Sequence, residues 1–291
     1  MIKKLQMVIF LLIVLASSYG YSLEQSDWEQ YKDHFISKDG RIIDYYQNQA
    51  SHSEGQGYGM LLALMHDDKV LFDQVWMWTK NNLSVRADGL LAWLWGERPD
   101  EKWAVVDYNN ATDGDILIAF ALIEAEKKWG EQEYKVEALK IIEGIRKELS
   151  FNWQGRTLLL PAYYGFKKEG GFVINPAYFI LPAFRTFAEV DEKPFWDKVY
   201  KDCYSILYEV SFSTLHLPAD WVLLNKSGFS VYSERSENFG YEAVRVPLYM
   251  SFEDNPKFPA GIKEFLNTYN KIGYIPLWVN LINDSISLKS A

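Results

Sequence analysis

Residues 111–129 read ATDGDILIAFALIEAEKKW. From Asp113 to Trp129 apolar side chains fall at almost every angle around a 3.6-residue helix, so this helix has no broad face to give to water. The next segment, 131–149, places Ala138, Ile141, Ile142, Ile145 and Leu149 along one stripe and charges elsewhere, the pattern of a helix with one wet face. The contrast then repeats. Residues 177–190 read as a mostly apolar helix, 194–209 as an amphipathic one, and 240–251 as apolar again. A helix buried on all sides, followed by one that faces solvent, implies inner and outer members of antiparallel pairs. Such pairs wrap into an α/α barrel, so the fold class is all-α.

The rest of the chain fits this scheme. Ser26-Asp27 is expected to cap a first helix reaching Phe35, and Asp39-Gly40 to turn into a short strand, RIID, at 41–44. A helix follows over about 54–65 with Met60, Leu61, Leu62, Leu64 and Met65. Asp67-Asp68 caps a third, which carries Val70, Leu71, Val75, Trp76 and Trp78. A ninth is expected over 259–269. Two strand-like stretches interrupt the helices. Residues 156–165 with 170–176 bracket Lys167-Lys168, and 220–225 with 229–233 bracket Lys226-Ser227-Gly228. Both read as β-hairpins inserted at helix ends, on the side where the inner helices begin.

Composition narrows the function. The chain has 291 residues, 30 Lys+Arg against 39 Asp+Glu, and a formal charge of −9. Without basic blocks this argues against nucleic acid as a partner. The lone cysteine, Cys203, excludes an intrachain disulfide framework, and His34, His52, His66 and His216 lack metal-ligand spacing. Met1 to Gly20 reads as a signal peptide: Lys3-Lys4, an apolar run at 7–16 too short to span a bilayer, then small residues. Cleavage after Gly20 leaves residues 21–291 as one domain with 28 basic and 39 acidic residues, a charge of −11 in a secreted or periplasmic protein. Aromatic residues are in excess: 11 Trp, 19 Tyr and 17 Phe, 16% of the chain.

Polar motifs cluster where the apolar helices begin. SEGQGYGM (53–60) sets Glu54 among three glycines, and NNATDGD (109–115) sets Asp113 and Asp115 at a helix start. NPAY (175–178), PADW (218–221) and GYEAVR (240–245) add Tyr178, Asp220, Trp221, Tyr241, Glu242 and Arg245. Two carboxyls in one cleft suit glycoside hydrolysis, which needs one protonated acid and one ionised base. Trp and Tyr rings suit the flat apolar faces of sugars; WLW (93–95), Trp103, Tyr163, Tyr164, Tyr178 and Trp221 are candidates. Each residue has a plainer reading. Thr112 or Asp113 is a helix cap, Glu54 complements a helix dipole, and Arg245 with Glu242 is an i,i+3 pair. His52 reads as a surface histidine, Cys203 as a buried small hydrophobe, and most aromatics as core. Their joint occurrence at equivalent helix ends favours a site.

These motifs, in this order, resemble glycoside hydrolase family 8, whose signature helix begins A-[ST]-D-[AG]-D. The resemblance covers residues 39–250, and the closest likeness is to endoglucanases encoded with bacterial cellulose synthases. It implies an (α/α)6 barrel with an open cleft and inverting hydrolysis of internal β-1,4 bonds in a cellulose-like β-glucan. No cofactor or metal is implied, and a cellulose-synthase export system is the implied protein partner. By motif, Glu54 resembles the general acid and Asp113 the second catalytic aspartate. Glu242 stands where cellulases of the family usually carry the Asp that activates water. Tyr178, Tyr241 and Arg245 resemble residues that position sugar, water or base. Trp93, Trp95 and Trp221 resemble stacking or wall residues, with Asp220 nearby. Xylan, mixed-linkage β-glucan or chitosan are alternative substrates, and Glu for Asp at 242 leaves a non-catalytic glucan-binding protein as another reading. About nine helices are expected where the barrel wants twelve. The barrel is therefore expected to be incomplete at its C-terminus, through a differently built wall or a truncated sequence, with an apolar flank left open.

Overall fold

The computed structural model describes residues 25–253 and 256–288; the expected signal peptide lies outside them. Among the described residues the helices are α1 (Gln25–Phe35), α2 (Ser53–Met65), α3 (Lys69–Leu83), α4 (Thr112–Trp129), α5 (Gln132–Gly144), α6 (Leu181–Val190), α7 (Lys193–Glu209), α8 (Arg245–Ser251) and α9 (Ala260–Ile272). α2 packs on α3, α4 on α5 and α6 on α7, and α4 also adjoins α2 and α6. α6 in turn touches α8, and the hydroxyls of Tyr58 on α2 and Tyr249 on α8 meet at 2.5 Å. The inner helices thus form a ring with outer partners, an α/α toroid. α4 sits within it as its sequence demands: residues 112–119 are all buried. Cys203 on α7 is fully buried.

Local chemistry sets the helix boundaries, and several differ from expectation. Asp68 caps α3 by accepting the Leu71 N–H at 3.1 Å. α1 is helical from Gln25, so Ser26 and Asp27 lie within it. The cap position of α4 is Ala111, with no side-chain cap; Thr112 and Asp113 are inside the first turn. α6 starts at Leu181 because Asn175 accepts the Ala177 N–H (2.9 Å) and winds residues 176–178 into a separate 3₁₀ turn. α8 starts at Arg245 because the N–H groups of Gly240 and Ala243 are drawn onto Asp220. The tail of the expected fifth helix, Ile145–Leu149, is a π-turn.

The strands also differ in part. Residues 41–44 form only isolated bridges, Ile36 to Ile42 and Asp44 to Ala50. The first hairpin is β4 (Ser150–Trp153) with β5 (Arg156–Leu159) around Gln154-Gly155, both at positive φ, as a tight two-residue hairpin turn requires. Lys167-Lys168 is a strand, β6, rather than a turn; it pairs with β7 (Gly171–Ile174). The second hairpin is found as read, with β8 (Val222–Asn225) and β9 (Gly228–Val231), and β7–β8 pairing fuses four strands into one antiparallel sheet. Unforeseen from sequence is a small sheet of β1 (Ser51–His52), β2 (Leu94–Glu97) and β3 (Trp103–Asp107). β10 (Asn238–Phe239) pairs with β11 (Val279–Asn280). A cavity of about 310 Å³ lies between α1, α2 and α8, lined by Tyr31, Phe35, Leu61, Leu248 and Phe252 and reaching Glu54.

Candidate active site

Ser53 to Tyr58 open α2, and Thr112 to Asp115 open α4 beside it. A Cβ on Gly114 would stand 2.1 Å from Ser53 Oγ and 2.7 Å from the Glu54 nitrogen. Glycine there lets the two helix starts touch, which brings Glu54 next to Asp113. The third carboxylate, Glu242, comes from the turn that precedes α8.

One guanidinium joins all three. Arg245, buried at the start of α8, contacts Glu54 and Asp113 through Nη1, the latter at 3.2 Å, and Glu242 through Nη2. The pairing read at i,i+3 is therefore one edge of a four-residue cluster. Asp113 is 1% exposed, and its Oδ1 also accepts the Gly114 N–H at 2.9 Å. Glu242 accepts from Asn175 Nδ2 at 2.7 Å. The Tyr178 ring lies 5.7 Å from the guanidinium carbon.

Burial sets the protonation of this cluster. Desolvation pushes the Asp113 carboxyl well above the usual carboxylate range, and the negative charge of Glu242 adds to it. Glu242 is pushed up to about 7, mainly by burial; the Asn175 hydrogen bond and the charge of Arg235 oppose the rise. One guanidinium cannot neutralise three carboxylates, so Asp113 and Glu242 hold their protons more tightly than free carboxyls do. A carboxyl that keeps its proton is what a general acid needs, and a carboxylate poised near 7 is what a base needs.

The aromatic candidates divide. Trp221 stands beside the cluster, 6.1 Å from Tyr178, but it is only 8% exposed, stacked on Phe166 with Arg235 4.4 Å above its ring. Tyr241 is 59% exposed next to Glu242. Trp93 is half-buried and ties the helix starts together: its carbonyl accepts the Ser53 N–H and its N–H donates to Asn109. Trp95 packs with Trp78, Trp103 and Arg41. Tyr163 and Tyr164 are exposed on a loop held by Asn110 and Asn109. Asp220 is 6% exposed and its oxygens are taken by protein donors. His52 is not a surface residue: it is mostly buried in β1, and desolvation lowers its pKa.

Sequence reading missed Asn175, Tyr58, Tyr249 and Arg235. Asn175 and Tyr58 lie inside motifs already singled out, so an account of each motif's polar members would have found them. Among the described residues no His/Cys/Asp/Glu cluster could hold a metal ion, and no helix is long and apolar enough to cross a membrane.

The chain is similar to known proteins in both sequence and fold. The chain is 35% identical over 266 residues to an endoglucanase of Cellulomonas uda, covering 90% of this chain and 73% of that one. It is 32% identical over 279 residues to an Escherichia coli K12 endoglucanase, covering 92% and 75%. Its fold matches the family 8 endoglucanase Cel10 of Klebsiella pneumoniae with a TM-score of 0.86 at 34% identity, covering 92% of this chain and 86% of that one. A family 8 endo-β-1,4-glucanase from an Achatina fulica gut metagenomic library matches with a TM-score of 0.85 at 33% identity, covering 93% and 86%. The family described as glycosyl hydrolases family 8 matches residues 2–289, nearly the whole sequence, and the chain belongs to that family.

Proposed function

We propose that this hydrolase is an endo-β-1,4-glucanase that cleaves internal bonds of cellulose-like β-glucan with inversion. The convergence of Glu54, Asp113 and Glu242 on Arg245, beside Tyr178 and Tyr241, carries the reading. Glu54 protonates the glycosidic oxygen, and Glu242 takes a proton from the water that attacks the anomeric carbon from the opposite face. Asp113 and Tyr178 stabilise the oxocarbenium-like sugar between them. A neutral polymer needs no basic groove, so the acidic chain is no obstacle. Tyr241, Trp93, Trp221 and Asp220 belong to the cleft and its walls. Removal of residues 1–20 releases the domain outside the cytoplasm, where a cellulose-synthase export system is its implied neighbour.

The test compares wild type with Glu54→Gln on carboxymethylcellulose, xylan, mixed-linkage β-glucan and chitosan. Wild type should release reducing ends fastest from the cellulosic polymer, and Glu54→Gln should release none while keeping the wild-type circular dichroism. Wild-type turnover in that variant would remove Glu54 from the acid role. NMR of fresh product should show the inverted anomer; the retained anomer would refute the one-step mechanism.

A further inference from the structure

We infer that Asp220 is a positioning residue for the turn that carries Glu242, and not a ligand of the sugar. The inference rests on Glu242 being the base. Asp220 lies just before β8, 6% exposed. Its Oδ1 accepts the backbone N–H groups of Gly240 and Ala243, both at 2.9 Å, and its Oδ2 accepts the Ser236 hydroxyl at 2.8 Å. The Glu242 N–H also faces this carboxylate. Asp220 N–H in turn donates to the Asn238 carbonyl at 2.8 Å, so the residue is tied in at both its backbone and its side chain.

The consequence is mechanical. Residues 240–244 do not continue α8 backwards; the N–H groups of Gly240, Glu242 and Ala243 converge on one anion, as in a backbone nest, while that of Val244 donates to the Gly240 carbonyl. Hydrogen bonds to an ionised acceptor are roughly twice as strong as neutral ones. The Glu242 Cα is thereby fixed at the distance from which its side chain reaches Asn175 and Arg245. Gly240 fits the arrangement, since a Cβ there would stand 3.0 Å from Asp220 Oδ2.

Asp220 also acts through charge. Its negative charge adds to burial in raising the Glu242 carboxyl. The other groups that face Glu242 are Arg245 and Tyr249 of α8, Asn175 and Tyr178 of the 3₁₀ turn, Arg235, Asp113 of α4 and Tyr58 of α2.

Asp220→Asn, Ser236→Ala and Glu242→Gln are measured beside wild type on carboxymethylcellulose across pH. Asparagine has a single acceptor oxygen, so it strands part of the donor set. Asp220→Asn should lose kcat by about 10²-fold, the scale of a ~1 Å misplacement, with KM nearly unmoved. Its acid limb in kcat/KM should shift to lower pH, because the base loses a neighbouring negative charge. Ser236→Ala should show a smaller loss of kcat, again with KM unmoved. A raised KM at unchanged kcat would make Asp220 a sugar ligand and overturn the inference. A lowered melting temperature with unchanged kcat per folded molecule and an unmoved acid limb would overturn it too. Should Asp220→Asn not fold, Ser236→Ala decides: wild-type kcat in that variant refutes the positioning role. Activity in Glu242→Gln would instead overturn the base assignment and the inference with it, whereas an inactive Glu242→Gln leaves the Asp220 outcomes to be read on their own.

Discussion

Replacing Arg245 by alanine removes the cation that, among the described residues, touches all three carboxylates, and the cost should depend on pH in a fixed direction. Removing one partner of a buried ion pair costs about 3–5 kcal/mol, because the other charge is left unpaired. Here three partners are left, with Asp113 at 1% exposure among them. They can escape the penalty only by binding protons. A carboxyl whose folded pKa lies above its unfolded value binds more protons in the native state, so its contribution to stability is present at low pH and lost as pH rises. Glu242 already titrates near 7 against an ordinary 4.5, and Asp113 is raised by the same burial. Without Arg245 both rise further. At about pH 5 Asp113 and Glu242 are protonated in the variant, and the loss is mainly that of the buried side chain's packing, roughly 1–2 kcal/mol. At about pH 8 the protons must be held against solution or the charges left bare, and the loss should reach about 3–5 kcal/mol. Urea unfolding of wild type and Arg245→Ala at the two pH values measures the gap directly. A gap that is equal at both, or larger at the lower pH, would refute the account of the cluster as three carboxyls sharing one guanidinium. Arg245→Lys should recover only part of it, since an ammonium cannot bridge two edges at once.

Two further outcomes follow from groups outside the cluster. Asp115 is fully buried, accepts the Leu91 N–H and Asn110 Nδ2 at 2.8 Å each, and is raised to about 7 by burial. Its contribution to stability is lost as pH rises from about 4 to about 7, so Asp115→Asn should flatten the fall in melting temperature over that range; an unchanged slope would contradict it. Gly40 sits at φ +90°, and a Cβ there would lie 2.4 Å from the Gln74 carbonyl oxygen on α3. Gly40→Ala should therefore destabilise by about 2–4 kcal/mol from left-handed strain and overpacking, read as a lower urea midpoint at unchanged m-value.

What the sequence disclosed, and what it hid, follows from the range of the interactions involved. α4 was legible because total burial leaves a compositional trace along the helix itself. The α3 start was legible because Asp68 bonds only three residues ahead. The starts of α6 and α8 were misplaced by several residues, because they are decided by side chains that redirect backbone N–H groups. For α8 that side chain is Asp220, which lies 20 positions from Gly240. β1 has two residues and takes its partner β2 from beyond α3, so no alternating pattern could announce it. Arg245 is the sharpest instance. Its neighbour at i,i+3 was visible, but Asp113 is 132 residues away, and only the packing of α8 against the starts of α2 and α4 brings them together.

By the resemblance, Glu242 stands where an Asp is expected, which raises the question of how a site takes a carboxylate one methylene longer. Glu54 and Asp113 have no such latitude: each projects from the first turn of a helix, and the two helices touch through Gly114, where even a methyl group would meet Ser53 and the Glu54 backbone. Glu242 projects instead from a turn whose backbone hangs on Asp220, while its carboxylate is caught by Asn175 and Arg245. Both ends of that side chain are fixed by partners from other segments, and the turn between Phe239 and Arg245 can adjust to its length without moving a helix. The proposed acid is thus set by helix packing and the proposed base by a hydrogen-bonded turn. A change of side-chain length is tolerable only at the second of these positions, which is where the resemblance expects Asp and this chain has Glu242.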